Sequence, residues 1–538
     1  MTKKQTTILI CVVAAIAVVL VAVGGYFIGT YSSSDGEMRS GGFVYETSGS
    51  TATIIRYEGD DKTITIPARI GGRRVAYVEA GFLDGTGVEE VIFSEEINMI
   101  ELADRVFEDN TDIVYVSLPD SLTEIPDSAF EDCTSLERVK MPASLTTIGD
   151  SAFEGCSSLV TSGADGENVF EIPETVTNIG VEAFMDCGDL ISVSIGSRLS
   201  ALPNRIFYNC DSLRTVTFAS DSALENIGES AFRNTHVNNV TLPSSLTYIG
   251  AYAFAENTYS SFTSINIPAS VGRIGEYAFS GCTYLNTVTF GSTDDPSELY
   301  EIGEGIFKNC SRLRTISLPE SVTAIPTLAF YGCVRLGTFT IGEQIESIGD
   351  GAFSNVGSQA TSINFIVNAP GYMLVDLMSY VEFGDDDGVG EVKEHWILTD
   401  STGTVMYAYI GAFDPENCSN DSDPETALAS HNSFDFLLDM IDIREIRSYG
   451  LAGVKGSVCI PSSVTKLGEY CFMDSEAARV YIGGANCEFE ETTFDDTASG
   501  SLEIMLLDAS GSANEFLQQL IDEGRNELSV RNADSFPA

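Results

Sequence analysis

Apolar and polar residues along this chain follow a short pattern that returns after 22 to 31 residues. The words SLTEIPDSAFEDCTSL (121–136) and SLTTIGDSAFEGCSSL (144–159) show two consecutive copies. The copies are marked by one phenylalanine each, at Phe107, Phe130, Phe153, Phe184, Phe207, Phe232, Phe254, Phe279, Phe307, Phe330 and Phe353, with divergent copies at Phe82, Phe472 and Phe494. A recurring unit of this length indicates a solenoid, in which each coil buries its few apolar side chains against the next coil.

The copy at residues 136–159 shows which elements each coil is predicted to form. The words LERVKMP predict a short strand, in which Val139 and Met141 point inward by the period of two. Pro142 ends this strand because proline has no N–H to donate to a ladder. The words SLTTIG turn the chain, and DSAFEGC is predicted to form a single helical turn that carries Phe153.

The N-terminus carries a targeting signal. Residues 8–29 contain no charged side chain and follow Lys3 and Lys4. About 20 apolar residues are enough for a helix to cross a bilayer, and the lysines favour a cytoplasmic N-terminus. We therefore expect residues 1–7 in the cytoplasm, a transmembrane anchor over 8–29 and a flexible linker over 30–42. A cleaved signal peptide is the alternative, and both interpretations place the remaining chain outside the cell.

The repeat words also resemble a known family. LPSSLTYIGAYAF (242–254) and IPSSVTKLGEYCF (460–472) are similar to the leucine-rich repeats of the BspA type, found in bacterial and protist surface proteins. The resemblance covers residues 43–355 and 450–510. It implies a leucine-rich-repeat solenoid built from a β-strand and a short helical turn per coil. It also implies a surface protein that works in adhesion or interaction.

The chain is expected to divide into a solenoid over 43–356, an irregular coil or insertion over 357–450, and C-terminal repeats with a cap over 451–538. The irregular stretch holds the single tryptophan, Trp396, and two of the three histidines, His395 and His431. Residues 396–411 predict a β-hairpin. Residues 433–450 predict an amphipathic helix that ends at a glycine. An insertion of this kind is also a place where function can reside.

Charge narrows the range of partners. The chain has 79 acidic and 28 basic residues and a formal net charge of -51. Such a surface repels nucleic acid and anionic lipid, so we expect no nucleic-acid partner and membrane contact only through the N-terminal helix. Acidic loops such as DDDG (385–388) lack the ligand spacing of a calcium loop, and we expect at most weak binding of divalent cations there.

The cysteines occupy a repeated position. Seven of the 12 stand three residues after the repeat phenylalanine, at Cys133, Cys156, Cys187, Cys210, Cys282, Cys310 and Cys333. Other copies place Thr235 or Val356 there, as a packing position tolerates. Neighbouring turns pack roughly 8–10 Å apart, and a disulfide needs Cα atoms within about 7 Å. We therefore predict buried free thiols, and no zinc site.

Catalytic motifs are missing from the sequence. No GxSxG, HExxH or P-loop occurs, and no acidic pair stands out from the many. We therefore predict a protein that is not an enzyme and holds no cofactor. The alternative from another class is an ectoenzyme with its site in 357–450.

Small hydroxyl residues recur at the outward positions of the predicted strands. If the coils stack in register, they form two parallel ladders along one face. The candidate ligand-binding residues are Thr215, Thr217, Thr241, Thr287, Thr289, Thr315, Ser317, Thr338 and Thr340. Threonine also suits an exposed strand for its β-propensity alone. The sequence predicts a cell-surface protein that binds an extracellular protein or glycan; the alternative is an envelope or spacer protein without a specific ligand.

Overall fold

The computed structural model describes residues 36–162, 168–292, 294–360, 364–376, 380–383, 390–393, 395–401, 405–411, 443–497, 502–523, 525 and 528–533. These residues form a β-solenoid, which confirms the repeat architecture. Each regular coil contributes a strand to a first row, a two-residue strand to a second row, and a turn that carries the repeat phenylalanine. We call the side formed by these turns the turn face.

Two rows of strands follow the coils of the array, and each row is divided into several sheets. The first strand row consists of Thr63–Ile66, Glu90–Phe93, Tyr115–Ser117, Arg138–Lys140, Phe170–Ile172, Ser192–Ile195, Thr215–Phe218, Asn239–Val240, Ser264–Ile267, Thr287–Phe290, Thr315–Ile316, Thr338–Ile341, Asn364–Val367, Lys455–Ile460, Glu476–Ile482, Leu502–Leu506 and Leu528–Asn532. The second strand row consists of Arg73–Val78, Glu101–Leu102, Glu124–Ile125, Thr147–Ile148, Asn178–Ile179, Ala201–Leu202, Asn226–Ile227, Tyr248–Ile249, Arg273–Ile274, Glu301–Ile302, Ala324–Ile325, Ser347–Ile348, Glu445–Ile446, Lys466–Leu467 and Glu488–Phe489. Hydrogen-bonded neighbours within both rows are parallel, because each coil runs in the same direction as the last.

The two ends of the solenoid have different caps. At the N-terminal end, Met38–Ser40, Phe43–Ser48 and Thr51–Tyr57 form an antiparallel meander, and the last of these strands pairs with Arg73–Val78. The short strand Arg69–Ile70 also pairs with Arg73–Val78. At the C-terminal end, the helix Ser512–Asp522 buries Ala513, Leu517 and Leu520. These caps cover apolar end surfaces that a stacked repeat otherwise leaves open to water.

The turn in each coil differs from the predicted helical turn. In the copy around Phe153, Ser151 has φ 53° and Gly155 has φ 70°, so the backbone passes twice through the left-handed region. The amides of Ser151, Phe153 and Gly155 donate to carbonyls of the next coil at 2.9, 2.8 and 2.9 Å. In a helical turn the N–H groups form hydrogen bonds within the turn, whereas these three N–H groups form hydrogen bonds to the neighbouring coil. The sequence does contain a sign of this conformation. The residue two positions after the phenylalanine is Asp, Asn or Gly in most copies, and these residue types tolerate the left-handed region.

The repeat phenylalanines from Phe107 to Phe353 form a continuous stack through the core of the N-terminal coils. Phe153 is fully buried, and its ring lies 5.0 Å from that of Phe130 and 5.1 Å from that of Phe184, nearly parallel to both. Val139, Leu145 and Ile148 are buried around it, as their positions in the pattern predicted. Each coil therefore completes the core of its neighbours.

The seven cysteines in the repeated position are buried free thiols, as predicted. The structure adds a role that the packing argument missed. Each thiol donates a hydrogen bond to the carbonyl of the phenylalanine one coil earlier, as from Cys156 Sγ to Phe130 O at 3.0 Å. Val356 fills the same position without a donor. The thiol therefore adds a weak link between coils to its hydrophobic contact.

Burial also predicts how these thiols react. It raises the pKa of Cys133 to about 12, whereas an exposed thiol titrates near about 8.5. Because the thiolate is the nucleophile, Cys133 in the native protein should not react with an alkylating reagent at pH 8. Mass spectrometry of the peptide should find it labelled only after denaturation. Since the unfolded chain ionises first, the buried thiols should also lower stability progressively from about pH 9 to about pH 12. Rapid labelling of native Cys133 would contradict this description of the core.

The irregular stretch contains the predicted hairpin, formed by the antiparallel strands His395–Asp400 and Val405–Gly411. Leu398 and Ala408 belong to the core of the N-terminal coils, while Ile397 and Met406 belong to the core of the C-terminal coils. The hairpin thus lies between two hydrophobic cores and contributes one face to each. A sequence pattern read coil by coil does not show this division.

Other parts of this stretch differ from the predictions, and some predicted segments lie outside the described residues. The strands Tyr372–Asp376, Tyr380–Phe383 and Gly390–Lys393 are additional elements. The predicted helix over 433–450 is wrong for its described part, since Glu445–Ile446 is a strand followed by a turn. Residues 433–442, the acidic loop at 385–388 and the predicted anchor at 8–29 lie outside the described residues. Within the part of the chain that is described, no helix has the length and apolar character needed to cross a bilayer.

Contacts on the turn face join the coils on either side of the irregular stretch. Leu328, Tyr331 and Ala452 form a small buried cluster, and Tyr331 donates a hydrogen bond to Asp474 at 2.6 Å. Nearby, the Arg447 guanidinium lies 3.2 Å from the Asp350 carboxylate. The array therefore continues along this side although the first strand row is interrupted.

Candidate ligand-binding face

The outward residues of the first strand row align in register along most of the first predicted ladder and along parts of the second. Ser192 pairs with Thr215 and Ser194 with Thr217. Further along, Thr287 pairs with Thr315, and Thr315 pairs with Thr338. Strands in a sheet lie about 4.8 Å apart, so hydroxyls recur at that spacing along each column. We call the surface formed by the outward residues of 192–341 the ladder face.

The nine predicted site residues are all on this surface. Thr215 is half-buried, and the other eight are exposed: Thr217, Thr241, Thr287, Thr289, Thr315, Ser317, Thr338 and Thr340. The intervening residues Val216, Val288 and Ile316 are buried. Thr241 and Ser317 each follow the last residue of their strand. Strict alternation of buried and exposed side chains therefore holds the hydroxyls in fixed positions.

The ladder face consists of two sheets and ends at an apolar residue. Its strands belong to two sheets, one ending at Asn239–Val240 and one beginning at Ser264–Ile267. Thr289 donates a hydrogen bond to the Asn266 side chain at 2.8 Å, which shows direct contact between successive coils. At the C-terminal end the column of Thr340 continues to Ile366, whose side chain is 45% exposed. The hydroxyl surface thus ends at an apolar residue.

Sequence reasoning missed a group of basic and aromatic residues that borders the ladder face. The Arg312 guanidinium lies 4.0 Å from the ring centre of Tyr284. The Arg214 guanidinium lies 5.6 Å from the ring centre of Tyr259, and that ring also stacks on His236 at 5.3 Å. We call Arg214, His236, Tyr259, Tyr284, Arg312, Arg314 and Arg335 the basic border. The sequence contained one sign of this group: an arginine recurs just before or after the leucine that precedes a first-row strand.

The turn face carries a second row of aromatic residues, but its polar groups are paired. The rings of Tyr252 and Tyr277 stack at 5.1 Å, and the Tyr277 hydroxyl donates to the Glu304 carboxylate at 2.5 Å. Burial and this carboxylate raise the pKa of Tyr277. Arg233 lies 5.0 Å from the Tyr252 ring centre and pairs with Glu256 at 2.8 Å. These contacts link coils to one another and stabilise the array.

The ectoenzyme alternative places its site in 357–450, a stretch that the structure describes only in part. His236 lies in the basic border, His395 and Trp396 lie on the strand His395–Asp400, and His431 is outside the described residues. Among the residues that the structure covers, no three His, Cys, Asp or Glu side chains are grouped to hold a metal ion. Of the candidate sites, the ladder face is the one whose residues the structure describes most completely.

Solved structures with a similar architecture are leucine-rich repeat proteins. One from Bacteroides ovatus has 18% identity and a TM-score of 0.48, over 94% of this chain and 100% of that one. A leucine-rich cell surface protein from Faecalibacterium prausnitzii has 27% identity and a TM-score of 0.39, over 63% and 96%. A leucine-rich repeat protein from T. pallidum has 26% identity and a TM-score of 0.32, over 37% and 89%.

A sequence comparison identifies the family. No curated protein matches the chain. The model of the BspA-type leucine-rich repeat region, however, matches residues 75–169, 164–260, 256–369 and 441–506. These matches cover more than half of the 538 residues. The chain belongs to the BspA-type leucine-rich repeat family.

Proposed function

We propose that this chain is a cell-surface leucine-rich-repeat protein that binds an extracellular protein or glycan through the ladder face. The observation that carries the proposal is the in-register pairing of the first strand row, which aligns the hydroxyls of Thr287, Thr315 and Thr338 in one column. A ligand with a repeating structure meets the same group at each step along such a column. Proteins of this family are typically found at the cell surface and are typically non-enzymatic.

Rigidity supports a binding role for this surface. The outward residues lie next to buried ones along each strand, as Thr289 lies between the buried Val288 and the half-buried Phe290. Their strands are hydrogen-bonded to the coils before and after them. A surface fixed in this way loses little conformational entropy when a ligand binds, so weak contacts can add up to useful affinity. The predicted N-terminal anchor would hold this surface outside the cell.

Charge distinguishes this proposal from a spacer role. The ladder face presents uncharged hydroxyl and amide side chains, whereas the whole chain has a net charge of -51. A spacer needs only solubility, which acidic residues provide on every face. An uncharged strip across several coils is the arrangement expected of a docking surface.

Removing the hydroxyls should separate binding from β-propensity. We expect the triple variant Thr217→Val, Thr289→Val, Thr340→Val to fold normally, because valine suits an exposed strand as well as threonine does. It should bind a partner, found by screening the purified full-length chain on glycan and protein arrays, at least about tenfold more weakly, since each lost hydrogen bond costs about 0.5–1.5 kcal/mol. Biolayer interferometry would measure the dissociation constants.

The matched control is Thr217→Ser, Thr289→Ser, Thr340→Ser, which keeps the hydroxyls and should retain most of the affinity. Equal affinity of the valine variant and the parent would mean that the threonines occur there for their β-propensity and not for binding. A parent chain that binds nothing on either array would instead support the spacer role.

A further inference from the structure

The acidic residues of this protein avoid one surface. The segments 235–243, 257–268, 282–292, 310–319 and 333–342 each run from the repeated cysteine position through the first-row strand, and none contains Asp or Glu. The whole chain has 79 such residues. These five segments belong to consecutive coils and carry the C-terminal part of the ladder face. Several neighbouring coils therefore expose a surface free of carboxylates.

Arginines lie on this surface and at its edge. Arg314 directly precedes the ladder residue Thr315 on it, and Arg214 directly precedes Thr215 in the coil before it, where Asp211 is also present. The amide of Gly337 donates to the Arg314 carbonyl at 3.1 Å, which places the arginine backbone in the hydrogen-bonded stack of coils. Arg312 and Arg335 occupy the same position, two residues after the cysteine, in successive coils.

These arginines differ from three paired arginines on other faces of the same coils. Among the ion pairs of the described residues, Arg205, Arg233 and Arg273 each contact a glutamate, at 2.7, 2.8 and 2.7 Å. In the same set of described residues, no carboxylate pairs with Arg214, Arg312, Arg314 or Arg335. The basic border therefore keeps charge available for an external anion.

Aromatic rings hold part of this border in place. Arg312 lies over the Tyr284 ring at 4.0 Å, and Arg214 lies over the Tyr259 ring at 5.6 Å. A guanidinium stacked on a ring keeps the N–H groups at its edge free, and these form paired hydrogen bonds to carboxylate or sulfate. The rings thus reduce the entropy that arginine loses on binding an anion.

We propose that the ladder face and the basic border together bind an acidic polysaccharide, one that carries carboxylate or sulfate groups. This inference rests on the proposed function and names its partner class. The arginines would contact the anionic groups, and the hydroxyl columns would hydrogen-bond the sugar hydroxyls. An acidic protein fits less well, because protein interfaces centre on buried apolar anchors. Of the large exposed apolar residues described, only Ile366 lies on an outward position of this strand row.

The overall negative charge does not prevent such binding. At physiological ionic strength, exposed charges more than about 8 Å apart are largely screened from each other. An anionic group on the basic border therefore interacts mainly with the arginines beside it. Distant carboxylates slow the approach of a polyanion but contribute little once contact is made.

The test measures binding of the purified full-length chain to four immobilised polymers: polygalacturonate, chondroitin sulfate, neutral dextran and poly-glutamate. The parent should bind polygalacturonate or chondroitin sulfate: binding to polygalacturonate shows that carboxylate suffices, whereas binding to chondroitin sulfate alone, which carries both groups, shows that sulfate is needed. Affinity should fall as salt is raised. The double variant Arg312→Gln, Arg335→Gln should bind at least about tenfold more weakly, since it loses two charged donors to the anionic groups. Its thermal melting curve should match that of the parent because both side chains are exposed.

The matched control is Arg205→Gln, Arg273→Gln, which removes the same charge from arginines that are paired with glutamate. It should keep parental affinity. Equal weakening in both double variants, or no binding to either acidic polysaccharide, would overturn the inference. If the parent bound poly-glutamate as tightly as it binds the acidic polysaccharides, the inference would be overturned and an acidic protein would be the favoured partner. Binding of a neutral glycan or a protein that is lost in the threonine-to-valine variant but kept in Arg312→Gln, Arg335→Gln would leave the proposed function standing and refute this partner class.

Discussion

Replacing Phe153 by alanine is expected to lower the free energy of unfolding by about 3–5 kcal/mol, the usual cost of removing a buried phenylalanine. The ring is fully buried and contacts the rings of Phe130 and Phe184 at 5.0 and 5.1 Å. Its loss leaves a cavity between three coils. Chemical denaturation followed by circular dichroism would measure the change.

The loss should also be local, because coils in a solenoid contact only their neighbours. Hydrogen exchange should accelerate first in the coils around Phe130, Phe153 and Phe184, and last near the two caps. Tyr300→Ala is the matched control: this side chain is 58% exposed, so its removal should change stability by less than about 0.5 kcal/mol. A Phe153→Ala protein as stable as the parent would be incompatible with the stacked core.

The second large effect is expected at Gly250, the glycine that ends a second-row strand. A Cβ added there would lie 2.6 Å from the backbone carbonyl carbon of Gly228 in the preceding coil. Backbone cannot move aside as a flexible side chain does, so Gly250→Ala should push two coils apart. We expect a destabilisation of at least about 1–3 kcal/mol, the range for overpacking, measured as a lower midpoint in denaturant.

Gly188→Ala provides the comparison within the same array. The nearest atoms to its added Cβ are 3.7 Å away, in ordinary contact. Because alanine also reduces the freedom of the unfolded chain, this substitution should be neutral or stabilising by about 0.4–1 kcal/mol. If the two alanine variants had the same stability, close approach of the backbones at Gly250 would not explain why glycine is required there.

Much of the fold was predictable because the repeat is local. A period of 22 to 31 residues, one phenylalanine per copy and strict alternation around Val139 indicated a solenoid and its buried side chains. The cysteine position was predictable for the same reason, since substitution by Val356 in another copy indicated packing. The outward threonines followed from the period of two. Each of these inferences needs only the residues of one coil and the fact that the next coil is similar.

The conformation of the turn was not predictable to the same degree. DSAFEGC has the length and capping residues of a helical turn, and an isolated peptide would gain most from internal hydrogen bonds. In the array, amides such as that of Phe153 find better-aligned carbonyls in the next coil, at 2.8 Å. The stacking of coils therefore decides the backbone conformation, and the Asp, Asn and Gly residues permit it.

The solenoid, its core positions and the outward hydroxyl columns can be derived from the residues of one repeat, because the next coil is a copy. The boundary between the two cores depends on tertiary packing, since Ile397 and Leu398 are adjacent in sequence but belong to different cores. The basic border also depends on packing, which brings Arg214 to Tyr259 and Arg312 to Tyr284. Those partners lie in different coils of unequal length, so their contact depends on the stacking register, which no single coil encodes.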